Sequence, residues 1–178
     1  MIVWIDGAYG VGKSTLAEKL HALLPNSFIF DAENVGNAVR DNMPQSVYYS
    51  ETFEGYPLWF HVCNELLTEL NDRYDGMILV PMTLMQQESF ARFAEPLRGQ
   101  GIEIVNVLLE SSEEVIHDRI LERGESEDCW CMRHLDECLS VQQHYEDVIR
   151  VPSLGQTADE LAKEVMEKLQ LSAGKEKC

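Results

Sequence analysis

The sequence predicts an α/β protein of three layers, with helices on both sides of a five-stranded parallel sheet and a small helical lid. Three observations lead there. Short apolar runs alternate with stretches long enough for helices, as parallel strands joined by crossover helices require. Each run is apolar enough to be covered on both faces, as interior strands of such a sheet must be. The first run also passes directly into a glycine-rich turn and then an amphipathic helix.

In chain order, the first strand is expected at 2–6 (IVWID), followed by a helix at 13–24 that carries Leu16, Leu20, Leu23 and Leu24. A second strand at 27–31 (SFIFD) leads into a helix at 33–42. The helix at 56–74 follows, where Leu58, Trp59, Val62, Cys63, Leu66, Leu67 and Leu70 recur at three- and four-residue steps and so share one face. Strands at 76–80 (GMILV), 102–109 (IEIVNVLL) and 147–151 (DVIRV) alternate with helices at 86–99, 112–123, 129–146 and 157–170. The last helix opens on Thr157-Ala-Asp-Glu160, whose hydroxyl and carboxylate can cap each other's free amides. Residues 1–172 read as one domain with the lid at about 119–135, and residues 173–178 as a flexible tail. No internal repeat, low-complexity tract or linker interrupts the pattern.

Composition bounds the partners. The chain has 178 residues, 45% hydrophobic and 25% charged, which suits one domain that buries roughly two thirds of its surface. Its 14 Lys and Arg face 31 Asp and Glu, a formal charge of −17 that repels nucleic acid and anionic membrane surfaces. A small phosphorylated ligand stays compatible, because a few basic residues can converge locally. With no apolar run approaching about 18 residues and no cleavage-site pattern, a cytoplasmic protein is expected. Five cysteines, an odd number without small-scaffold spacing, read as reduced thiols.

The chemistry concentrates in Gly7-Ala8-Tyr9-Gly10-Val11-Gly12-Lys13-Ser14, with Thr15 next, which matches G-x-x-x-x-G-K-[ST] in full. Glycines let backbone N–H groups turn inward, and the following helix adds its positive end, so phosphate oxygens can sit in a ring of donors. Lys13 would reach the β and γ phosphates of ATP, and the Ser14 hydroxyl would ligate Mg²⁺. The position of the motif between an apolar strand and an amphipathic helix argues for a nucleotide cradle over a simple turn.

Phosphoryl transfer also needs an acceptor side. The strand at 76–80 runs into Pro81-Met82-Thr83 without a carboxylate, whereas the second strand ends in Asp31. Ligands of open α/β sheets bind beyond the carboxyl ends of the strands, so Asp31 could take a proton from a substrate hydroxyl or hold a water on Mg²⁺. The alternative is a helix N-cap. Asp6 reads as structural. Arg40 could clamp a polar acceptor or simply be exposed. Arg119 and Arg123, four residues apart on one helical face, could stabilise transferred charge or lie over the base; the alternative is pairing with Asp118 and Glu122. Between Arg40 and Trp59 stand Tyr48, Tyr49, Phe53, Tyr56, Trp59 and Phe60, of which Tyr56 and Trp59 are the leading candidates for stacking on a sugar or base at the pocket mouth. Met82 and Thr83 come next. Cys129-x-Cys131-x-x-His134-x-x-x-Cys138 has the residue types of a zinc site but not the spacing of a knuckle or finger, so packed thiols are the expectation.

Together these features resemble the P-loop kinases of the shikimate, gluconate and nucleoside-monophosphate kinase group. A closer resemblance is to the bacterial tunicamycin-resistance protein family, in Trp4 to Lys13, in Tyr56-Pro57-Leu58-Trp59, in Val80-Pro81-Met82-Thr83 and in the helix from Trp130 to Cys138. It implies a P-loop kinase-like fold, ATP binding and resistance to a nucleoside antibiotic, by phosphorylation or by holding the drug. One member of that family continues beyond the helix near 170 into a basic amphipathic tail, where this sequence has a short polar end, so membrane attachment is not carried over. The resulting expectation is a Mg-ATP-dependent phosphotransferase, with a drug-sequestering protein and a metabolic nucleotide kinase as alternatives.

Overall fold

In the computed structural model the described residues are 1–46 and 49–175, with side chains described as far as residue 170. Strands β1 (Ile2–Gly7), β2 (Ser27–Ile29), β3 (Met77–Pro81), β4 (Ile104–Glu110) and β5 (Val148–Pro152) form one sheet in the order β2-β3-β1-β4-β5. Every pairing is parallel. β1 therefore lies at the centre, and all six of its residues are buried.

Alternation along β1 divides the core in two. Val3 and Ile5 enter one cluster with Leu16 and Leu20 of α1 (Lys13–Leu23), Ile116 and Ile120 of α5 (Glu113–Glu122) and Val165 of α8 (Ala158–Lys175). Ile2 and Trp4 enter the other, with Val39 of α2 (Ala32–Asp41), Trp59 and Leu67 of α3 (Pro57–Arg73) and Phe93 of α4 (Ser89–Gly99). This is the three-layer architecture that uniformly apolar strands demand.

Local chemistry sets the helix ends. Asp31 caps α2, Ser112 caps α5, and Pro57 occupies the first turn of α3. The expected capping box forms before α8: Thr157 N donates to Glu160 Oε2 at 2.8 Å, and Glu160 N donates to Thr157 Oγ1 at 3.3 Å. Pro96 inside α4 cannot donate to the Arg92 carbonyl, and Asn64 Nδ2 takes that carbonyl at 3.1 Å.

Some expectations change. The helix expected at 129–146 is two helices, α6 (Trp130–Arg133) and α7 (Leu135–Gln143), separated at His134. There the imidazole stacks on Trp130 with ring centres 4.1 Å apart, and its Nδ1 lies 2.9 Å from the Trp130 carbonyl. The expected boundary at residue 172 falls inside α8, which runs to Lys175; residues 176–178 of the expected tail, like Tyr48, lie outside the described residues. A 3-10 turn at Phe53–Gly55, unmarked in the sequence pattern, precedes α3. Among the described residues no helix is long and apolar enough to cross a membrane.

Candidate functional site

The turn between β1 and α1 is built on three glycines with positive φ: Gly7 at 146°, Gly10 at 82° and Gly12 at 112°. At Gly7 a side chain is excluded by space as well as by φ, since a Cβ there would lie 2.7 Å from Val11 Cγ1 and 2.9 Å from the Leu109 carbonyl. Gly12 is the N-cap of α1, and it brings no capping side chain; the first turn holds no acid either. Ser14 and Thr15 are exposed at that end. A helix terminus of this kind presents amides and positive dipole without a protein partner, the condition for holding an anion.

The Lys13 ammonium folds back over the turn and donates to the carbonyls of Gly7 and Ala8, both at 2.9 Å. It also lies 5.5 Å from the centre of the Tyr9 ring, whose edge-on neighbour at 5.2 Å is Trp130 of α6. Burial draws the Lys13 ammonium below the ordinary lysine range, and the nearby Asp6 charge opposes that shift.

Under the turn, Asp6 is fully buried. Its Oδ1 accepts from Gly7 N at 2.7 Å and Leu84 N at 3.1 Å, while Oδ2 has no hydrogen-bond partner. The Thr83 hydroxyl donates to the Gly7 carbonyl at 2.9 Å, and the Tyr145 hydroxyl donates to the Leu84 carbonyl at 3.1 Å. Glu54, from the 3-10 turn, accepts from Met85 N at 2.8 Å and Gln86 N at 3.0 Å, and burial raises its pKa. The segment after β3 thus ties the phosphate turn to the loop before α3. Sequence reasoning missed Glu54 and Tyr145. A lone acid in an aromatic loop carries no spacing signal, and its partners are main-chain amides about 30 residues away.

Burial first, and then the charge of Glu54, raises the Asp6 carboxyl to about 7 against the pull of the two backbone donors and Lys13. The folded chain therefore keeps this proton over a pH range in which the unfolded chain has lost it. Native protein binds more protons than unfolded protein there, so its unfolding free energy falls as pH rises from about 4 to about 7. Urea denaturation across that window should show the decline, and Asp6→Asn should flatten it. An unchanged slope in the variant would assign the effect to another group.

Beside the turn opens a cleft of about 390 Å³, walled by Gly10, Gly12 and Thr15 on one side, by Arg119 and Arg123 on another, and by Ser153 and Gln156 of the segment after β5. Arg119 is fixed rather than free to swing: Nη1 donates to the Val11 carbonyl at 3.0 Å and to Ser153 Oγ at 3.4 Å. Among the described residues its hydrogen bonds go there and not to Asp118 or Glu122. Arg119 thus stands against the phosphate turn, and Arg123 lines the same cleft.

The acceptor candidates are less uniformly placed. Asp31 is exposed, and both its oxygens are engaged by Asn34, Oδ1 by the backbone N at 2.9 Å and Oδ2 by Nδ2 at 2.8 Å. Arg40 lies along α2, donating to Asn37 Oδ1 at 2.6 Å with its guanidinium 5.4 Å from the Phe53 ring centre. Tyr56 and Trp59 do not stand at a mouth. Tyr56 is buried and donates to the Ser50 carbonyl at 3.4 Å, and Trp59 is wholly enclosed by Phe53, Phe60 and Phe93. The Trp59 indole N–H reaches the Ala32 carbonyl at 2.9 Å, so the helical stripe that carries it is core. Met82 is buried at the end of β3 beside Thr83.

Cys138 is buried and accepts from Gln142 Nε2 at 3.1 Å, and burial pushes its thiol up to about 12. Cys129 and Cys131 are half-buried thiols. Among the described residues no group of three or more His, Cys, Asp or Glu is arranged to hold a metal ion.

The β2-β3-β1-β4-β5 parallel sheet, with a glycine cradle between its central strand and the next helix, defines a P-loop protein of kinase-like fold. A family model described as an AAA domain matches residues 2–145, and the chain belongs to that family. Its structure is similar to that of the tunicamycin resistance protein of Deinococcus radiodurans, with a TM-score of 0.79 and 23% identity over 94% of each chain. It is similar to a gluconokinase from Sinorhizobium meliloti, with a TM-score of 0.67 and 18% identity over 97% of this chain and 93% of that one. It is also similar to shikimate kinase from Acinetobacter baumannii in complex with shikimate, with a TM-score of 0.62 and 17% identity over 96% and 93% of the two chains. Among the curated proteins none matches the sequence.

Proposed function

We propose that this chain binds Mg-ATP and transfers a phosphoryl group to a hydroxyl of a small molecule, with a nucleoside antibiotic such as tunicamycin as the candidate acceptor. The observation that carries the reading is the start of α1: a left-handed Gly12, no capping side chain, no acid in the first turn, and Lys13, Ser14 and Thr15 gathered there. Such an end fits a polyphosphate. Main-chain amides of the turn beyond Gly7, whose own N–H is held by Asp6, would surround the phosphates as far as Thr15, and the Lys13 ammonium would exchange its two carbonyl partners for phosphate oxygens. The Ser14 hydroxyl would hold Mg²⁺, which when bound neutralises charge on the β and γ phosphates. Arg119 and Arg123 would face the nucleotide across the cleft and stabilise charge on the transferred group. Asp31 would orient or deprotonate the acceptor hydroxyl, with Arg40, Met82 and Thr83 on the acceptor side. Support for the acceptor class comes from the name of the similar Deinococcus radiodurans protein and from the hydroxyl-bearing substrates that the gluconokinase and shikimate kinase names denote.

Incubation with Mg-ATP and tunicamycin, followed by mass spectrometry, tests the reading. A mass gain of one phosphoryl group on the drug is expected. A second reading, sequestration of the drug without chemistry, is favoured by one observation: both oxygens of Asp31 are held by Asn34 as a helix cap. Drug binding without product would establish that reading, and rapid turnover of a nucleoside monophosphate would point instead to a metabolic kinase.

Asp31→Asn separates the two roles of that residue. Asparagine caps helices as well as aspartate does, so stability should hold while a lost general base lowers turnover by about 10²- to 10⁴-fold with little change in ATP affinity. Steady-state kinetics beside calorimetric ATP titration would measure both. Intact turnover would leave Asp31 as a cap alone.

A further inference from the structure

The acid beneath the phosphate turn has no part in the chemistry proposed above, yet it is bound to the same glycine as the cradle lysine. Asp6 and Lys13 hold Gly7 from its two ends: Asp6 Oδ1 accepts from the Gly7 N–H at 2.7 Å, and the Lys13 ammonium donates to the Gly7 carbonyl at 2.9 Å. Leu84 N, at 3.1 Å, donates to that same Oδ1 and fastens the carboxyl to the segment after β3. Oδ2 is buried without a partner. A carboxyl arranged this way keeps both amide contacts whether or not Oδ2 carries a proton, so its charge can change without rearranging the turn.

The charged and titratable groups that face Asp6 are Lys13 of α1, Glu54 of the 3-10 turn, Cys138 of α7 and Tyr145 just after it. Glu33 and Arg123 act on Lys13. Burial holds the Cys138 thiol and the Tyr145 phenol neutral well beyond neutral pH, so neither titrates there. Lys13 is the facing cation, but its hydrogen bonds go to the Gly7 and Ala8 carbonyls. A sealed carboxylate whose facing cation is engaged elsewhere, with a second acid nearby, is easily driven to its neutral form. An anion on the other side of the turn supplies that drive. Even with magnesium the nucleotide brings net negative charge, and its oxygens would draw the Lys13 charge away from Asp6.

We propose that Asp6 is a positioning residue of the cradle whose carboxyl takes up a proton on Oδ2 when Mg-ATP binds and returns it when the nucleotide leaves. The proton comes from the solvent, and the sealed oxygen receives it through transient opening of the turn. The inference rests on the nucleotide-binding reading above and adds its pH dependence. Above the Asp6 midpoint of about 7, binding has to be accompanied by protonation, so Mg-ATP affinity falls as pH rises. If the bound nucleotide moves that midpoint from about 7 to about 8, uptake at pH 8 is about 0.4 proton per nucleotide, and affinity drops about sixfold between about pH 6.5 and 8.5.

The test is calorimetric titration of the full chain with Mg-ATP in two buffers of different ionisation enthalpy, whose difference in heat counts the protons taken up. Asp6→Asn keeps an oxygen for the Gly7 and Leu84 amides but cannot titrate; its uptake should vanish and its affinity should stay level across the same pH range. Asp6→Ser, which also offers an oxygen without a titrating proton, serves if Asp6→Asn does not fold. Glu54→Gln should keep the uptake. A merely structural Asp6 would lose affinity by one factor at every pH and leave the uptake in place. Binding without proton uptake in the native chain overturns the proposal, as does uptake that persists in a folded Asp6 variant, which would assign it to Lys13 or Glu54, or uptake that Glu54→Gln abolishes. Absence of any binding heat at every pH would instead remove the nucleotide reading, and this inference with it.

Discussion

Lys13→Ala should weaken Mg-ATP binding by about 1.5–3 kcal/mol, roughly 10- to 150-fold, because it removes a charge-assisted contact from a partly desolvated cradle. Its ammonium is held by the Gly7 and Ala8 carbonyls at 2.9 Å each, so the charge is already desolvated and hydrogen-bonded. Phosphate binding would replace these neutral acceptors with anionic ones on a positioned donor, which would strengthen the contact without a large ordering cost. Alanine forfeits that gain, and relief of the buried ammonium offsets part of any loss in stability. Calorimetric titration with Mg-ATP, alongside circular dichroism to establish folding, measures the effect. An unchanged dissociation constant in a folded variant would remove the phosphate cradle from the account of this protein.

Trp59→Ala should lower the unfolding free energy by about 3–5 kcal/mol, a large share of the roughly 5–15 kcal/mol typical of a native domain. Three rings lose their partner at once, with centres 5.9 Å away for Phe53, 4.9 Å for Phe60 and 5.1 Å for Phe93. The Ala32 carbonyl in the first turn of α2 loses its donor, so the damage extends to the helix that Asp31 caps. Urea denaturation would read the loss, and Mg-ATP affinity of the folded fraction should stay near the native value. Were the variant stable to within about 1 kcal/mol but unable to bind an acceptor, the indole would belong to a ligand face after all.

The contrast between these two residues shows what kind of information the chain carries in one dimension. The turn that carries Lys13 was legible because its conformation depends on neighbours in sequence: a strand before it, glycines within it and a helix after it. The strands were legible for a related reason, since residues covered on both faces must be apolar throughout; the expected 2–6 became Ile2–Gly7 and the expected 76–80 became Met77–Pro81. Trp59 was misplaced because an aromatic residue at a loop-to-helix junction looks the same whether it faces a ligand or Phe93. Glu54 was invisible, because main-chain amides carry no mark in sequence and its two partners belong to residues 85 and 86.

By itself the sequence determined the strand and helix alternation, the phosphate turn and the acidic composition, all of which follow from local periodicity, local backbone geometry and summed charge. Tertiary structure alone decided that Asp6 sits unsolvated beneath the turn, that Arg119 is fastened to Val11, and that Trp59 is core. Those outcomes depend on which distant segments the parallel sheet brings together. Contact between residues tens of positions apart is set by packing, and packing leaves no fixed spacing along the chain.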